Sequence, residues 1–356
     1  MSLFSTKEKA FGLDISDQTL RLAQFSTGRK HPKLKIYNEI QLPVGCLVKG
    51  EIKQPEVFIA HLHKLLKTKI GRGQLSKEAV ISLPETETFL KTLNLEINSN
   101  SQIPDLIEQV LPQALPLSME EIYWDYQIVK KDATTCQVIV GASPKTLVND
   151  YLKIFAEAGI IPVVLEIEAA AISNLLIDIN KNHVPQIVID IGQNRTGLFL
   201  YDGDAIQFTV SLNISGNQID EVISQTLDLT LPQAEEAKII CGLDETKCQG
   251  AVLEILAPTI EELAREILNA VNFYYENFIN PKEIKAIIIC GGGSNMLNLA
   301  KIIKKSTDIA TTISEPFTVI TNPNKGFFTP AKSQSFITTF GLGLRGLQPE
   351  TFYDRP

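Results

Sequence analysis

The sequence predicts an α/β protein made of two similar lobes, and three short stretches predict it. Phe11-Gly-Leu-Asp14-Ile-Ser16 and Ile187-Val-Ile-Asp190-Ile-Gly192 each read as an apolar strand ending in aspartate, isoleucine and a small residue. Asp14 and Asp190 stand 176 positions apart, and a polar turn and a second apolar run follow each copy, the pattern of a duplicated hairpin. The third stretch is the apolar run Ala286-Ile-Ile-Ile-Cys290, which leads straight into Gly291-Gly292-Gly293-Ser294. Three residues without side chains let backbone N–H groups approach a bound anion. Two such hairpins and a glycine turn imply a nucleotide cleft between duplicated lobes.

The elements follow from periodicity and turn residues. Strands are expected at Ala10 to Ile15, Thr19 to Ser26 and Leu34 to Gln41, then a helix from Pro55 to Thr68 whose apolar side is Val57, Ile59, Leu62, Leu65 and Leu66. After a strand at Glu78 to Leu83, residues 85–161 read as β-α-β-β-α: Phe89 to Leu95, Pro104 to Ala114, Ile122 to Lys130, Cys136 to Ala142 and Lys145 to Ala158. That order suggests an inserted subdomain. Val163 to Glu166 leads into a helix from Glu168 to Ile179, and the lobe boundary is expected at 180–186. The second lobe repeats the opening with strands Gln186 to Ile191, Thr196 to Tyr201 and Ala205 to Leu212. Helices are expected at Asn217 to Leu227, Pro232 to Cys241, Val252 to Phe278 and Asn298 to Lys305. A last helix, 336–352, is expected to return to the first lobe. The expected domains are thus 1–84 with 336–356, the insert 85–161, a connection 162–185, and 186–335.

Composition narrows the function. The chain has 356 residues, above the roughly 250 to 300 at which single cores stop growing. A net charge of −8 and a pI near 5.2 argue against a nucleic-acid surface, which needs clustered Lys and Arg. The three lysines within Lys301 to Lys305 read as a solvated helix face. Five cysteines, Cys46, Cys136, Cys241, Cys248 and Cys290, show no metal-type C-x-x-C pairing, and buried free thiols in a reducing compartment are expected. Neither a signal peptide nor a membrane-spanning run is evident, so a cytosolic protein is expected.

Asp14 and Asp190 each end a buried strand, where a carboxylate requires a compensating cation or donors. Facing each other across a phosphate chain, the pair would hold Mg²⁺ through its waters. The first turn offers Ser16, Asp17, Gln18 and Thr19 to phosphate, and the second offers Gly192, Gln193, Asn194 and Thr196, with Gly216 joining the set. Asp17 is an awkward neighbour for a triphosphate. Gly291, Gly292 and Gly293 are expected against the ligand, with Ser294 available as a helix N-cap. Glu166 and Glu168 are expected to open the helix between the lobes; their plain reading is a carboxylate at a helix N-terminus, and the sharper one has Glu166 orienting a water near a terminal phosphate. Gly341-Leu-Gly343-Leu-Arg-Gly346 fits G-x-G-x-x-G literally, but ten following residues cannot build the rest of a dinucleotide fold, so close helix packing explains it better. No histidine is placed to chelate a metal, and serine-hydrolase and P-loop signatures are absent.

The order of these motifs resembles the actin-like ATPase superfamily, which includes actin, sugar kinases, MreB and FtsA, and within it is similar to the PilM family of type IV pilus assembly proteins. Besides Phe11 to Ile15, the segments that carry the likeness are Ser82-Leu-Pro84, Ile122-Tyr-Trp-Asp125-Tyr-Gln, Ala158-Gly-Ile-Ile-Pro162 and Leu165-Glu166-Ile-Glu168-Ala-Ala. Ala234-Glu235-Glu-Ala-Lys238, Arg265-Glu266-Ile, Phe273-Tyr274 and Phe340-Gly-Leu-Gly-Leu-Arg345 complete them. The resemblance implies an actin-like ATPase fold with an FtsA-like insert, ATP and Mg²⁺ between the lobes, and Glu235 and Lys238 near ribose and adenine. It also implies docking to the short cytoplasmic N-terminal peptide of a PilN-like inner-membrane protein, without a membrane anchor of the chain's own, and it allows self-association. The family usually has Gly then Ser or Thr where this chain has Ser16 and Asp17, and a Thr or Ser run where it has Gln193-Asn194-Arg195. Nucleotide sensing with at most weak ATPase activity is therefore expected. A small-molecule kinase of the same fold and a nucleotide-free structural adaptor are the alternatives.

Overall fold

The computed structural model describes residues 10–28, 30–98, 101–177, 184–203, 205–278, 280–321 and 324–347. Residues 1–9, His183, most of the expected lobe boundary and the end of the expected last helix lie outside them. Two compact units emerge: Met1–Asp178 with Pro316–Phe327 and Phe336–Pro356, and Ile179–Glu315 with Phe328–Ser335.

The first unit opens with an antiparallel meander, β1 (Phe11–Ser16), β2 (Thr19–Ser26) and β3 (Lys33–Gln41). A small hairpin, β4 (Leu47–Val48) with β5 (Glu51–Ile52), precedes helix α1 (Pro55–Lys67). Pro55 suits the start of that helix because its missing N–H has no intrahelical partner there. Strands β6 (Ile70–Gly71) and β7 (Glu78–Leu83) follow, and β7 lies parallel to β1.

The insert then departs. Strands β8 (Phe89–Glu96), β9 (Ile122–Lys131) and β10 (Thr135–Pro144) form their own sheet in the order β8-β10-β9, with helix α2 (Ile103–Ala114) between β8 and β9 in sequence. Leu93, Leu95, Ile107, Leu111, Val138 and Val140 fill a separate small core. Helix α3 (Lys145–Glu157), expected within the insert, instead buries Tyr151, Ile154 and Phe155 in the main core with Leu13, Phe58 and Leu62. Strand β11 (Ile161–Ile167) returns parallel to β7, completing the sheet β11-β7-β1-β2-β3-β6, and leads into α4 (Glu168–Leu176). The helix stops short of the expected Ile179 because Ile177 is already extended.

The second unit repeats the plan. Its meander is β12 (Gln186–Ile191), β13 (Thr196–Asp202) and β14 (Ala205–Leu212), followed by helices α5 (Gly216–Leu227), α6 (Leu231–Ile240) and α7 (Ala251–Asn277). Strand β15 (Ala286–Cys290), α8 (Leu299–Thr307), β16 (Ala310–Ile313) and the short α9 (Pro330–Gln334) complete it. Its sheet runs β16-β15-β12-β13-β14 and matches β11-β7-β1-β2-β3 strand for strand. Helix α7 lays Leu256, Ile260, Leu263, Ile267 and Tyr274 on Ile187, Ile189, Leu198 and Leu200, the helical spacing read from the sequence.

Two results differ from expectation. Pro316–Phe327, expected in the second lobe, belongs to the first unit, because Thr321 bridges to Lys33 and the Phe327 ring packs 5.0 Å from that of Tyr37. Cys241 and Cys248, expected as free thiols, form a disulfide; Cys46, Cys136 and Cys290 are free and buried. Left-handed backbone at Cys248 and Gln249 folds the segment after α6 back until the two Cα atoms stand 5.8 Å apart, a turn that residue spacing did not announce.

Helix α10 (Ile337–Arg345) ends the described chain and belongs to the first unit. It packs with almost no side-chain spacer. A Cβ on Gly341 would collide with the Ala171 carbonyl of α4, one on Gly343 would lie 2.7 Å from the Ala23 oxygen, and one on Gly12 would lie 2.7 Å from the Thr339 oxygen. The glycines of the nominal dinucleotide pattern are thus packing glycines.

Candidate nucleotide site

In the second unit three segments bring the expected site residues together. Asp190, near the end of β12, lies beside the loop that leaves β15, where Gly291 has φ +81°. A Cβ on Gly291 would strike the Asp190 carboxylate and lie 2.6 Å from the Ile191 oxygen, and one on Gly293 would strike the Ile191 side chain. Two of the three glycines are therefore explained by the hairpin they cover. Only Gly292 is exposed with open space over its Cα, so it is the member a ligand could approach. Ser294, expected as a helix N-cap, is 2% exposed and donates to the Gly291 carbonyl at 2.7 Å. Its hydroxyl thus tightens the loop, and Asn298 takes the N-cap of α8. Asn295 ties the same loop to α9 through the Ala331 carbonyl at 3.2 Å.

The turn after Asp190 is clasped by the head of α5. Gly216 N–H donates to the Gly192 carbonyl at 3.0 Å, Asn217 N–H to the Gln193 carbonyl at 2.9 Å, and Asn217 Nδ2 to Asn194 Oδ1 at 2.8 Å. Gln193 and Asn194 remain exposed, whereas the Thr196 hydroxyl is fully buried and has no hydrogen-bond partner among the described residues.

In the first unit the turn satisfies itself. Ser16 Oγ donates to the Thr19 carbonyl at 3.2 Å, Gln18 O accepts from Leu42 N–H at 2.8 Å, and Asp17 Oδ1 accepts from Gly50 N–H at 3.4 Å. Thr19 is buried. Asp14 is 6% exposed and accepts from Ser82 Oγ at 3.4 Å and Thr339 Oγ1 at 3.3 Å, with the Arg21 guanidinium 3.6 Å away. Burial pushes the Asp14 carboxyl above its ordinary range, and Arg21 opposes that shift.

Two expected residues have partners that sequence reasoning missed. Glu166 does not open a helix: it lies in β11, and its carboxylate pairs with Arg345 of α10 at 3.5 Å. Glu168 starts α4 as expected. Lys238 pairs with Asp220 of α5 at 2.7 Å, both side chains largely buried, while Glu235 stays exposed. No periodicity links Asp220 to Lys238, which meet only because α5 and α6 fold back on each other.

Burial pushes the Asp220 carboxyl up and Lys238 holds it back. A carboxyl whose folded pKa is raised contributes stability below its ordinary value and loses it as pH rises through the raised one. Lys238→Met is therefore expected to destabilise the protein by about 1 to 3 kcal/mol at neutral pH. The deficit should shrink on acidification as Asp220 takes up a proton. Urea unfolding of both proteins at about pH 7 and about pH 5 checks the sign.

The donors of the second unit fit a magnesium-bound nucleotide: a half-buried carboxylate at a strand end, an open glycine backbone and two exposed amides beside a helix head. Magnesium usually takes one or two carboxylates and completes its shell with water and phosphate. Among the described residues no helix is long and apolar enough to cross a membrane.

Comparison with known proteins agrees with this architecture. A solved PilM–PilN type IV pilus biogenesis complex contains a chain that superposes with TM-score 0.79 at 22% identity, covering 95% of this chain and 98% of that one. MreB5 of Spiroplasma citri, solved bound to ADP, gives 0.54 at 12% identity over 97% of both chains. EutJ of Carboxydothermus hydrogenoformans, an ethanolamine utilization protein, gives 0.55 at 13% over 94% of this chain and 89% of that one. The fold is thus that of the actin-like ATPases. The cell division protein FtsA of Pseudomonas aeruginosa is 24% identical over 207 residues, 53% of this chain and 48% of that protein, so the match spans about half the length of this relative. The family model for the type IV pilus assembly protein PilM matches residues 12–347, from the first hairpin through α10, and the chain therefore belongs to that family.

Proposed function

We propose that this protein is a cytoplasmic, nucleotide-binding scaffold of type IV pilus assembly that docks to the N-terminal cytoplasmic peptide of a PilN-like inner-membrane protein. The observation that carries the reading is the family match, whose bounds, residues 12–347, take in both hairpins, the insert and the glycine loop. In the second unit, Asp190 would hold Mg²⁺ with water, the Gly292 backbone would lie along the ligand, and Gln193 and Asn194 would offer amides to phosphate. ATP supplies binding energy that differs between two arrangements of the protein, which is what a switch of partner affinity requires.

The insert supports the docking half. Strand β9 is an edge of its sheet, ten residues long, with Tyr123 and Ile128 exposed. Natural proteins usually blunt such an edge, and an extended peptide can add to it as a further strand. Attachment through that peptide would bring the protein to the inner-membrane face.

Two measurements test the proposal. Mg-ATP at about a hundred times its Kd should stabilise the protein by about 2.7 kcal/mol; no stabilisation at millimolar ATP would favour a nucleotide-free adaptor. A labelled peptide from the cytoplasmic N-terminus of the neighbouring PilN-like protein should bind saturably by fluorescence anisotropy. Its failure to bind would remove the pilus-platform assignment and leave the fold untouched.

A further inference from the structure

The two hairpins share a register, yet the residues set across the strand from their aspartates differ. Across β1, β2 and β3 the row that contains Asp14 reads Asp14, Arg21, Glu39. In the second sheet the corresponding row across β12, β13 and β14 reads Asp190, Gly197, Ser211. The first aspartate faces a guanidinium across the strand, and the second faces a residue with no side chain.

Arg21 is firmly held. Its Nε donates to Glu39 Oε2 at 2.8 Å and its guanidinium carbon sits 5.7 Å from the centre of the Phe336 ring, just before α10. From that position it reaches Asp14 Oδ2, which also accepts from Thr339 of α10, while Asp14 Oδ1 accepts from Ser82. Both oxygens of Asp14 are thus engaged inside the first unit, and only 6% of the residue is exposed. A hydrated magnesium ion has to present waters to a carboxylate, and this one presents almost no surface to them.

We propose that Arg21 is the resident counter-ion of Asp14, supplying within the first hairpin the charge compensation that a metal would otherwise supply, so that the magnesium dependence of nucleotide binding rests on the Asp190 hairpin and not on Asp14. The second clause rests on the nucleotide-binding reading above; the ion pair does not. The assignment makes Arg21 a positioning residue, fixing the carboxylate, Phe336 and Thr339 with respect to one another.

The test separates the two clauses. Thermal unfolding of the full chain without nucleotide or metal is compared for wild type, Asp14→Asn, Arg21→Met and the double variant. Arg21→Met strands the Asp14 carboxylate and also unpairs Glu39, so its Tm should fall by several degrees, and adding Asp14→Asn should recover the part of the loss that belongs to Asp14. Strictly additive losses would overturn the ion pair. If Asp14→Asn does not fold, Arg21→Lys, which keeps a cation beside Asp14, should retain more of the Tm than Arg21→Met; equal losses would overturn it.

Mg-ATP affinity is then measured calorimetrically. Asp14→Asn should stay within about three-fold of wild type and Asp190→Asn should lose about ten-fold or more, a difference of at least a factor of about three. A folded Asp14→Asn that loses as much as Asp190→Asn would overturn the metal assignment. A wild-type protein that binds no nucleotide would instead sink the proposed function, and the unfolding comparison would still decide the ion pair.

Discussion

Gly341→Ala is expected to destabilise the protein by about 3 kcal/mol or more, at or beyond the upper end of what overpacking one methyl group usually costs. Usually an inserted methyl is accommodated by rotating a neighbouring side chain. Here the neighbour is the carbonyl of Ala171, inside helix α4, and relief would require α4 and α10 to separate. Separation would in turn uncover Leu342 and Phe340, both fully buried, and loosen Thr339 from Asp14. Chemical denaturation against wild type measures the loss. A Gly341→Ala protein within about 1 kcal/mol of wild type would show that this helix pair yields far more easily than its contacts imply.

The second large effect is a contrast between adjacent glycines. Gly291→Ala is expected to cost about 2 to 4 kcal/mol, because the residue has φ +81° and its new methyl would meet Asp190 and Ile191. Gly292→Ala, one position on, points its methyl into open space and should change stability by less than about 1 kcal/mol. Gly291→Ala should weaken Mg-ATP binding together with folding, because its methyl meets the Asp190 carboxylate, whereas for Gly292→Ala the two effects should separate. Gly292→Ala leaves the protein intact and places a methyl where the nucleotide is proposed to lie, so Mg-ATP affinity should drop at unchanged stability. Urea titration and calorimetry on the two variants check both halves. Equal destabilisation would mean that the loop is held by something other than its contact with the Asp190 hairpin.

The duplicated hairpins were legible because they are local: alternating apolar residues, a polar turn and a small residue after Asp-Ile define them without knowledge of anything distant. Helix α7 was legible for the same reason, its apolar face repeating over seven turns. What escaped were relations between residues far apart in the chain. Arg21 looks like one more polar residue on a strand until the register sets it opposite Asp14. Glu166 looked like a helix opener because Glu-x-Glu before a run of alanines suits a helix start. The strand continued through it because β7 offered a parallel partner as far as Leu83. Sequence order places helix α3 in the insert, but Tyr151 donates to the Gly50 carbonyl at 2.8 Å and fills the main core beside Phe155. The place of the glycine triplet directly after an apolar strand predicts a ligand-facing turn; the close approach of Gly291 and Gly293 to β12 accounts for two of its three members.

The return of α10 also fixes an order of events during synthesis. The first strand of the first unit emerges from the ribosome early, yet Gly12 is covered by Gly343 and Asp14 accepts a hydrogen bond from a residue 325 positions later. Contacts between such distant segments are slow to form, because the intervening chain must first be brought together. The second unit, nearly contiguous in the chain, can complete its core sooner, and the first must wait with one side of its sheet uncovered. A chain truncated before residue 337 would therefore hold a finished second unit and an unfinished first, and it is the first that would call on a chaperone.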